Sequence, residues 1–328
     1  MSEHYNPLKI ITFDMMQHPI PMVSFDDAKF DLYMISGFLT EKWYLPYGAH
    51  TVKMGELAKS DWLKHLVNLA QEHHFNLYFY NWPAKFWPHN WLYEIFSVFF
   101  GEFYQATKKA NYQYDENSDS SELIDRFLIK IDIDDLIDAL PWKQRFVLKL
   151  LKNKDTNKRK SLKILKAWND ALEATRTSAA ELDKFITSKN RKTLLLGHSL
   201  GGRLALQTLE MINTKNVADV DCIAMAPAIR PSELHIHKMT YRAEKIEIFY
   251  SKADVILALL YRLAELTFEK PIGLSGAENK IGREFNCTKH RDKLIGHTDY
   301  EANIVALLTD SEIFKQHISL PLQKIPTT

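Results

Sequence analysis

Residues 193–212 read TLLLGHSLGGRLALQTLEMI and place a serine at the apex of the pentapeptide Gly197-His198-Ser199-Leu200-Gly201. Residues 193–196 are an apolar run. From Arg203 onward, Leu204, Leu206, Leu209, Met211 and Ile212 recur at helical spacing. Strand, sharp turn and helix form the setting in which a G-x-S-x-G serine becomes a nucleophile. The turn predicts a positive φ at Ser199, with nearly bare residues on both sides so that strand and helix can pass closely. The helix N-terminus then aims its free N–H groups at negative charge developing beside Ser199.

A serine hydroxyl is a weak nucleophile unless a base takes its proton and an acid orients that base. On a parallel sheet the partners follow as Asp or Glu, then His, each on a loop after a strand. Residues 245–251 (KIEIFYS) read as a strand, with Asp254 in the loop behind it. Residues 283–288 read as another, followed by His297 in a turn that carries Gly296. Ser199 is thus the expected nucleophile, His297 the general base and acid, and Asp254 the orienting carboxylate. Asp254 is also placed to cap the helix expected after it, and the two roles are compatible. His290 is the nearest competitor to His297, but it lies closer to the strand and lacks the glycine turn. Asp299 is placed either to cap the last helix or to contact the His297 segment.

An oxyanion site needs two N–H donors aimed at one point. Leu200 supplies the first as the residue after the nucleophile. The second is expected from the loop after the third strand (residues 35–39, ISGFL), at Phe38 or Leu39, with Gly37 permitting the turn. His198, one residue from Ser199, is expected to pack rather than to act as the base.

The elements that must position these groups can be read along the chain. Strands are expected at 8–13, 20–25, 30–36, 75–82, 193–196, 219–225, 245–251 and 283–288, with Pro83 ending the fourth. Helices are expected at 56–71, 161–188, after the elbow from Arg203, at 255–267 and at 299–308. Alternating strands and helices predict an α/β class: a doubly wound, mostly parallel sheet, with 84–160 as a helical cap inserted in a single 1–328 domain. No internal repeat is visible.

The chain has 328 residues, 46% hydrophobic and 25% charged, the balance of a soluble globular protein. A net charge of +1 gives no reason to expect nucleic acid as a partner. Cys222 and Cys287 suit reduced, buried thiols, and no signal peptide or transmembrane stretch is apparent, so a cytoplasmic location is expected. No metal-ligand spacing is present (His73-His74 and His235-x-His237 are isolated pairs), and no cofactor is expected.

Residues 86–104 (FWPHNWLYEIFSVFFGEFY) are the densest aromatic patch, and residues 143–166 hold ten Lys or Arg against one Asp, Asp155. Packed and solvated helix faces account for both. The sharper reading is a cap that receives acyl chains, with peripheral contact to an anionic lipid surface through 86–104 and 143–166.

Together, ISGFLT (35–40), LYFYNW (77–82), LLLGHSLGGR (194–203), IEIFYSKADVILALLYR (246–262), IGLSG (272–276) and GHTDY (296–300) resemble an α/β-hydrolase family of unknown function. That family is typified by the eukaryotic transmembrane and coiled-coil domain protein 4 group. Its pattern is a G-F-L or G-W-L loop, a G-x-S-L-G-[AG]-R elbow, a Y-S-x-x-D-x-x-L segment, a G-L segment and a terminal G-H-x-x-Y. The resemblance spans residues 30–82 and 190–305 and implies the α/β-hydrolase fold and the set Ser199, Asp254 and His297. His198 departs from it, standing where an aromatic residue is common, as in the G-H-S-L-G-G elbow of many lipases. The membrane-spanning part of the eukaryotic members has no counterpart here.

The expected activity is hydrolysis of carboxylic esters of small-molecule or lipid type, through a Ser-His-Asp triad and an acyl-enzyme, with Phe38 and Leu200 stabilising the oxyanion. An aromatic cap favours an apolar acyl group, hence an ester. A thioesterase or peptidase on the same scaffold, and a non-catalytic lipid-surface binding protein, are the alternatives.

Overall fold

The structure, a computed structural model, describes residues 10–12, 19–37, 51–53, 61–82, 155–189, 191–212, 220–235, 243–254, 256–261, 269–278 and 280–322. By its internal contacts the chain divides into two units, Met1–Ala84 with Ala171–Thr328, and Lys85–Asp170. The expected cap at 84–160 and the aromatic patch at 86–104 lie outside the described residues, apart from 155–160 within a helix. Of the basic stretch, only 155–166 is described, and it is helical.

Seven strands of the first unit form one sheet: β2 (Ile20–Val23), β3 (Asp31–Ile35), β5 (Asn76–Tyr80), β6 (Thr193–His198), β7 (Val220–Met225), β8 (Ile246–Tyr250) and β9 (Arg283–Asn286). Their order is β2-β5-β3-β6-β7-β8-β9, with β2 antiparallel and every other pairing parallel. Two short strands, β1 (Ile10–Thr12) and β4 (Thr51–Lys53), pair with each other in a separate sheet. Of the strand expected at 8–13, residues 10–12 are described and form β1, whose partner is β4. With its flanking helices, this mostly parallel sheet is an α/β-hydrolase fold.

The strands form because they are apolar almost without a break. Every residue of β3, β5, β6 and β7 is buried, as a parallel sheet covered on both faces requires. Pro21 lies in edge strand β2, where a missing N–H costs no ladder bond. The opposite edge, β9, carries Arg283 and Glu284 on a partly exposed strand, which discourages edge-to-edge pairing.

Helix α1 (Asp61–His73) packs on β5 and β2. In helix α2 (Asp155–Lys189), Ala171, Thr175, Ser178, Ala179, Leu182 and Ile186 are buried, a stripe at intervals of three and four residues. Tyr80 donates its hydroxyl proton to the Ser178 carbonyl at 2.9 Å, and Phe185 meets Tyr33 edge-on at 6.1 Å. Helix α3 (Leu200–Met211) is buried from Leu200 through Leu209 where it packs against β6 and β7. It begins three residues before the helical spacing shows in sequence, because Leu200, Gly201 and Gly202 complete its first turn.

At the C-terminal end the expected helix at 299–308 is two pieces, α5 (Asp299–Ala302) and α6 (Ile304–Asp310), after the single turn α4 (Ile272–Ser275). Asn303 leaves helical geometry (φ −110, ψ 9) and its side chain donates to the Asp299 carbonyl at 2.7 Å. A last helix, α7 (Glu312–Ile318), is capped by Ser311, which accepts from Phe314 N.

Candidate active site

The chain reverses its direction of growth across the sheet between β3 and β6, and crevices at such switch points are where open α/β sheets hold ligands. Ser199 lies at the carboxyl end of β6, at that switch point. Its φ of 58° and ψ of −122° give the positive-φ backbone that the sequence predicts. Three main-chain bonds hold it there. Ser199 N–H donates to Met225 O at 3.0 Å, and Ser199 O accepts from Arg203 N at 3.1 Å and from Ala228 N at 3.0 Å.

The glycines around the elbow are required by close approach. A methyl group on Gly197 would overlap the Gly201 carbonyl, and one on Gly201 would overlap the Ile35 and Ser36 carbonyls. On Gly37 it would lie 2.9 Å from the Ser199 Cβ. The end of β3 therefore passes directly beside the serine. Trp82 Nε1–H donates to Ser36 O at 2.8 Å and fixes that passage.

Asp254 follows β8 and is fully buried. Its Oδ1 accepts from Leu257 N–H at 2.8 Å, capping the π-helical stretch Ile256–Tyr261; the rest of the helix expected at 255–267 lies outside the described residues. Its Oδ2 lies 2.6 Å from His297 Nδ1. A carboxylate oxygen only accepts, which puts the proton on Nδ1 and leaves Nε2 free to accept. Ser199 Oγ is 3.0 Å from that Nε2. The His297 side chain is 10% exposed, and Ser199 and Asp254 are buried.

His290 stands elsewhere. It belongs to a hairpin, β10 (Lys289–His290) with β11 (Lys293–Leu294), and its Nε2 lies 2.7 Å from Asp310 Oδ2. The hairpin turns on Arg291 and Asp292, both at positive φ.

The loop that carries His297 is fastened at successive residues. Ile295 N donates to Thr288 O at 3.1 Å, and Ile295 O accepts from Ser251 Oγ at 2.5 Å. Gly296 N donates to Asp299 Oδ2 at 2.7 Å, and His297 O accepts from His198 Nε2 at 3.0 Å. Of these, Asp299 was singled out in the sequence. Ser251 and His198 were not seen as anchors, because each reaches a carbonyl that only the fold brings near.

His198 is buried, and its ring lies 5.1 Å from Trp62, 4.8 Å from His297 and 5.6 Å from Tyr300 between ring centres. Burial, and then the neighbouring His297, push its pKa well below the ordinary imidazole range. Cys287 is a free buried thiol with Sγ 3.1 Å from the Tyr300 hydroxyl, and burial pushes it up to about 12, far from a reactive thiolate.

Leu200 is the first residue of α3, so its N–H has no partner within the helix and points from the N-terminal end. Phe38, the expected second oxyanion donor, lies outside the described residues. One turn into α3, Arg203 forms a two-pronged ion pair with Glu233, at 2.7 and 3.2 Å.

Residues 158–313 match the model of a family described as protein of unknown function (DUF726). The matched stretch contains Ser199, Asp254 and His297, and leaves out the 30–82 half of the expected resemblance. The chain is also similar to the probable lipase MIL1 of Saccharomyces cerevisiae, 28% identical over 148 residues. That alignment takes in 43% of this chain and 14% of the yeast protein, so the chain spans a small part of its relative's length. Among solved structures, the Pyrococcus furiosus esterase PF2001 aligns over 94% of this chain and 98% of its own, at 9% identity and a TM-score of 0.34. Among the described residues, no helix is long and apolar enough to cross a membrane.

Proposed function

We propose that the protein is a serine hydrolase of carboxylic esters, with Ser199 as nucleophile, His297 as general base and acid, and Asp254 as the carboxylate that orients it. The observation that carries this reading is the hydrogen-bond chain of 3.0 and 2.6 Å from Ser199 Oγ through His297 to Asp254, with the serine at a positive-φ elbow. The similarity to a protein described as a probable lipase supports the ester as the bond cleaved.

In the first half-reaction Oγ attacks the ester carbonyl while His297 Nε2 takes its proton. The imidazolium that forms is held by the Asp254 carboxylate through Nδ1–H. The negative charge on the carbonyl oxygen falls to the Leu200 N–H at the helix end, with Phe38 N–H as its partner. Each such donor is worth roughly 10²–10³ in kcat. Collapse of the tetrahedral adduct passes the proton from Nε2 to the departing alcohol and leaves an acyl-serine. Water, activated by the same nitrogen, then releases the acid. We assign 84–160 to an acyl-binding cap, because its aromatic residues suit an apolar chain better than a peptide, and place any lipid-surface contact at 86–104 and 143–166.

The test is labelling by a fluorophosphonate probe in wild type and Ser199→Ala, followed by turnover of p-nitrophenyl esters of increasing chain length alongside acyl thioesters and aminoacyl amides. Labelling of wild type alone, with esters turned over fastest, is expected. Equal labelling of both proteins would remove Ser199 from the mechanism. Faster turnover of thioesters or amides would reassign the substrate.

A further inference from the structure

His198 and Ser199 are neighbours in sequence, yet they reach opposite ends of the same residue. Ser199 Oγ meets the ring of His297 at Nε2, and His198 Nε2 meets the main-chain carbonyl of His297, each at 3.0 Å. A carbonyl oxygen only accepts, so the proton on His198 is at Nε2. The two contacts arise from a single rigid segment, the end of β6, which is buried and paired on both edges. The strand end that carries the nucleophile thus also contacts the backbone of the base, alongside the bonds that Thr288, Ser251 and Asp299 make to the same loop.

We propose that His198 is a positioning residue for His297, holding the backbone of the base so that its Nε2 stays in register with Ser199 Oγ. This rests on the proposed roles of Ser199 and His297. Three features support it beyond the distance itself. Trp62 and Tyr300 flank the His198 ring, leaving it little freedom to turn. Gly37 passes on the Nδ1 side, where an added methyl group would stand 3.5 Å from that nitrogen. A side chain that only filled space here would be aromatic and apolar, but this one spends its single N–H on the carbonyl of the base. Burial keeps the His198 ring uncharged when His297 becomes an imidazolium beside it, so the anchor does not repel the charge that catalysis creates.

Small errors in the placement of a reacting group are costly. A displacement of about 1 Å can lower the rate by roughly 10²-fold. Substituting His198→Phe keeps the ring and removes the donor, and His198→Gln restores an N–H at similar reach. For His198→Phe we expect kcat and the fluorophosphonate labelling rate to fall by about 10–100-fold with KM within about three-fold of wild type, as outer partners of catalytic groups typically show. His198→Gln should recover at least ten times the His198→Phe rate, and melting temperatures should not follow this order.

If His198→Phe does not fold, His198→Met takes its place as the donor-free variant. Wild-type rates in a folded donor-free variant overturn the proposal. So does an equal loss in the Gln and donor-free variants that tracks their melting temperatures, which assigns His198 to packing alone. Failure of wild type itself to label is a different result, since it strikes the roles of Ser199 and His297 before His198 is tested.

Discussion

Asp254 and His297, 43 residues apart in the chain, are joined by a 2.6 Å hydrogen bond between Oδ2 and Nδ1. The other oxygen of the same carboxylate caps the turn that follows it, through Leu257 N–H at 2.8 Å. One residue thus has a local structural bond and a long-range one, and the two can be separated by substitution. Asp254→Asn keeps an oxygen for the cap but can present an N–H₂ to His297, favouring the wrong tautomer. Its kcat should drop by about 10⁴, with a melting temperature close to wild type. Asp254→Ala should lose as much activity and also the cap, about 1 kcal/mol of stability. Thermal melts beside ester turnover of the two variants check this. Equal melting temperatures would mean that the cap bond is idle.

The elbow stores strain in its nucleophile. Ser199 holds φ at 58°, a backbone region that glycine enters freely and other residues enter at a cost of about 1–3 kcal/mol. Ser199→Gly should therefore abolish ester turnover and raise the melting temperature by roughly 2–4 °C for a chain of this size. Ser199→Ala should be equally inactive without the gain. Differential scanning calorimetry of both variants decides between them. A Gly variant that melts below the Ala variant would mean that the serine conformation is relaxed.

Much of this site was legible in the sequence because its members are local signals in a fixed order. A G-x-S-x-G turn between an apolar run and a helix, an aspartate just behind one strand and a Gly-His behind the next need no knowledge of tertiary contacts. What escaped was non-local or depended on short turns. The β1–β4 pairing joins residues 10–12 to 51–53 in a sheet of their own, and three-residue strands leave too little periodicity to reveal a partner. The hairpin at 289–294 turns on Arg291 and Asp292, neither of them a glycine, so its positive-φ turn carried no punctuation. His198 read as packing because a histidine beside the serine cannot serve as its base. Its bond to His297 O depends on a loop 99 residues away.

Gly201 is the tightest crossing at the elbow. A methyl group there would overlap the Ile35 and Ser36 carbonyls, main-chain atoms that cannot swing aside. Gly201→Ala should therefore push β3 and α3 apart and cost about 1–3 kcal/mol or more, the range for forced overpacking. The expected readout is a lower urea midpoint together with loss of ester turnover, since the same shift moves the Gly37 passage away from Ser199. A variant with the wild-type midpoint would show that the crossing yields without cost.

Beside the elbow, Glu233 gathers Arg203 through both guanidinium arms, Arg230 through Nε and main-chain N–H, and the Tyr261 hydroxyl. Burial alone would push this carboxyl up. The hydrogen bonds and charge of Arg203, and then the bonds of Arg230, outweigh burial and hold it at about 2, below its ordinary 4.5. A carboxyl depressed in the folded state binds its proton more weakly there than in the unfolded chain. Its stabilisation is therefore complete above about pH 4.5 and is lost as the pH falls towards 2. In Glu233→Gln this acid-sensitive component is absent. The variant should be less stable than wild type at neutral pH, with Arg203 left buried without its counter-charge, and the gap should close as the pH approaches 2. Urea midpoints of both proteins from pH 7 down to pH 2 test the sign directly. A gap that stays constant across that range would mean that Glu233 contributes through packing and hydrogen bonds that do not depend on its charge.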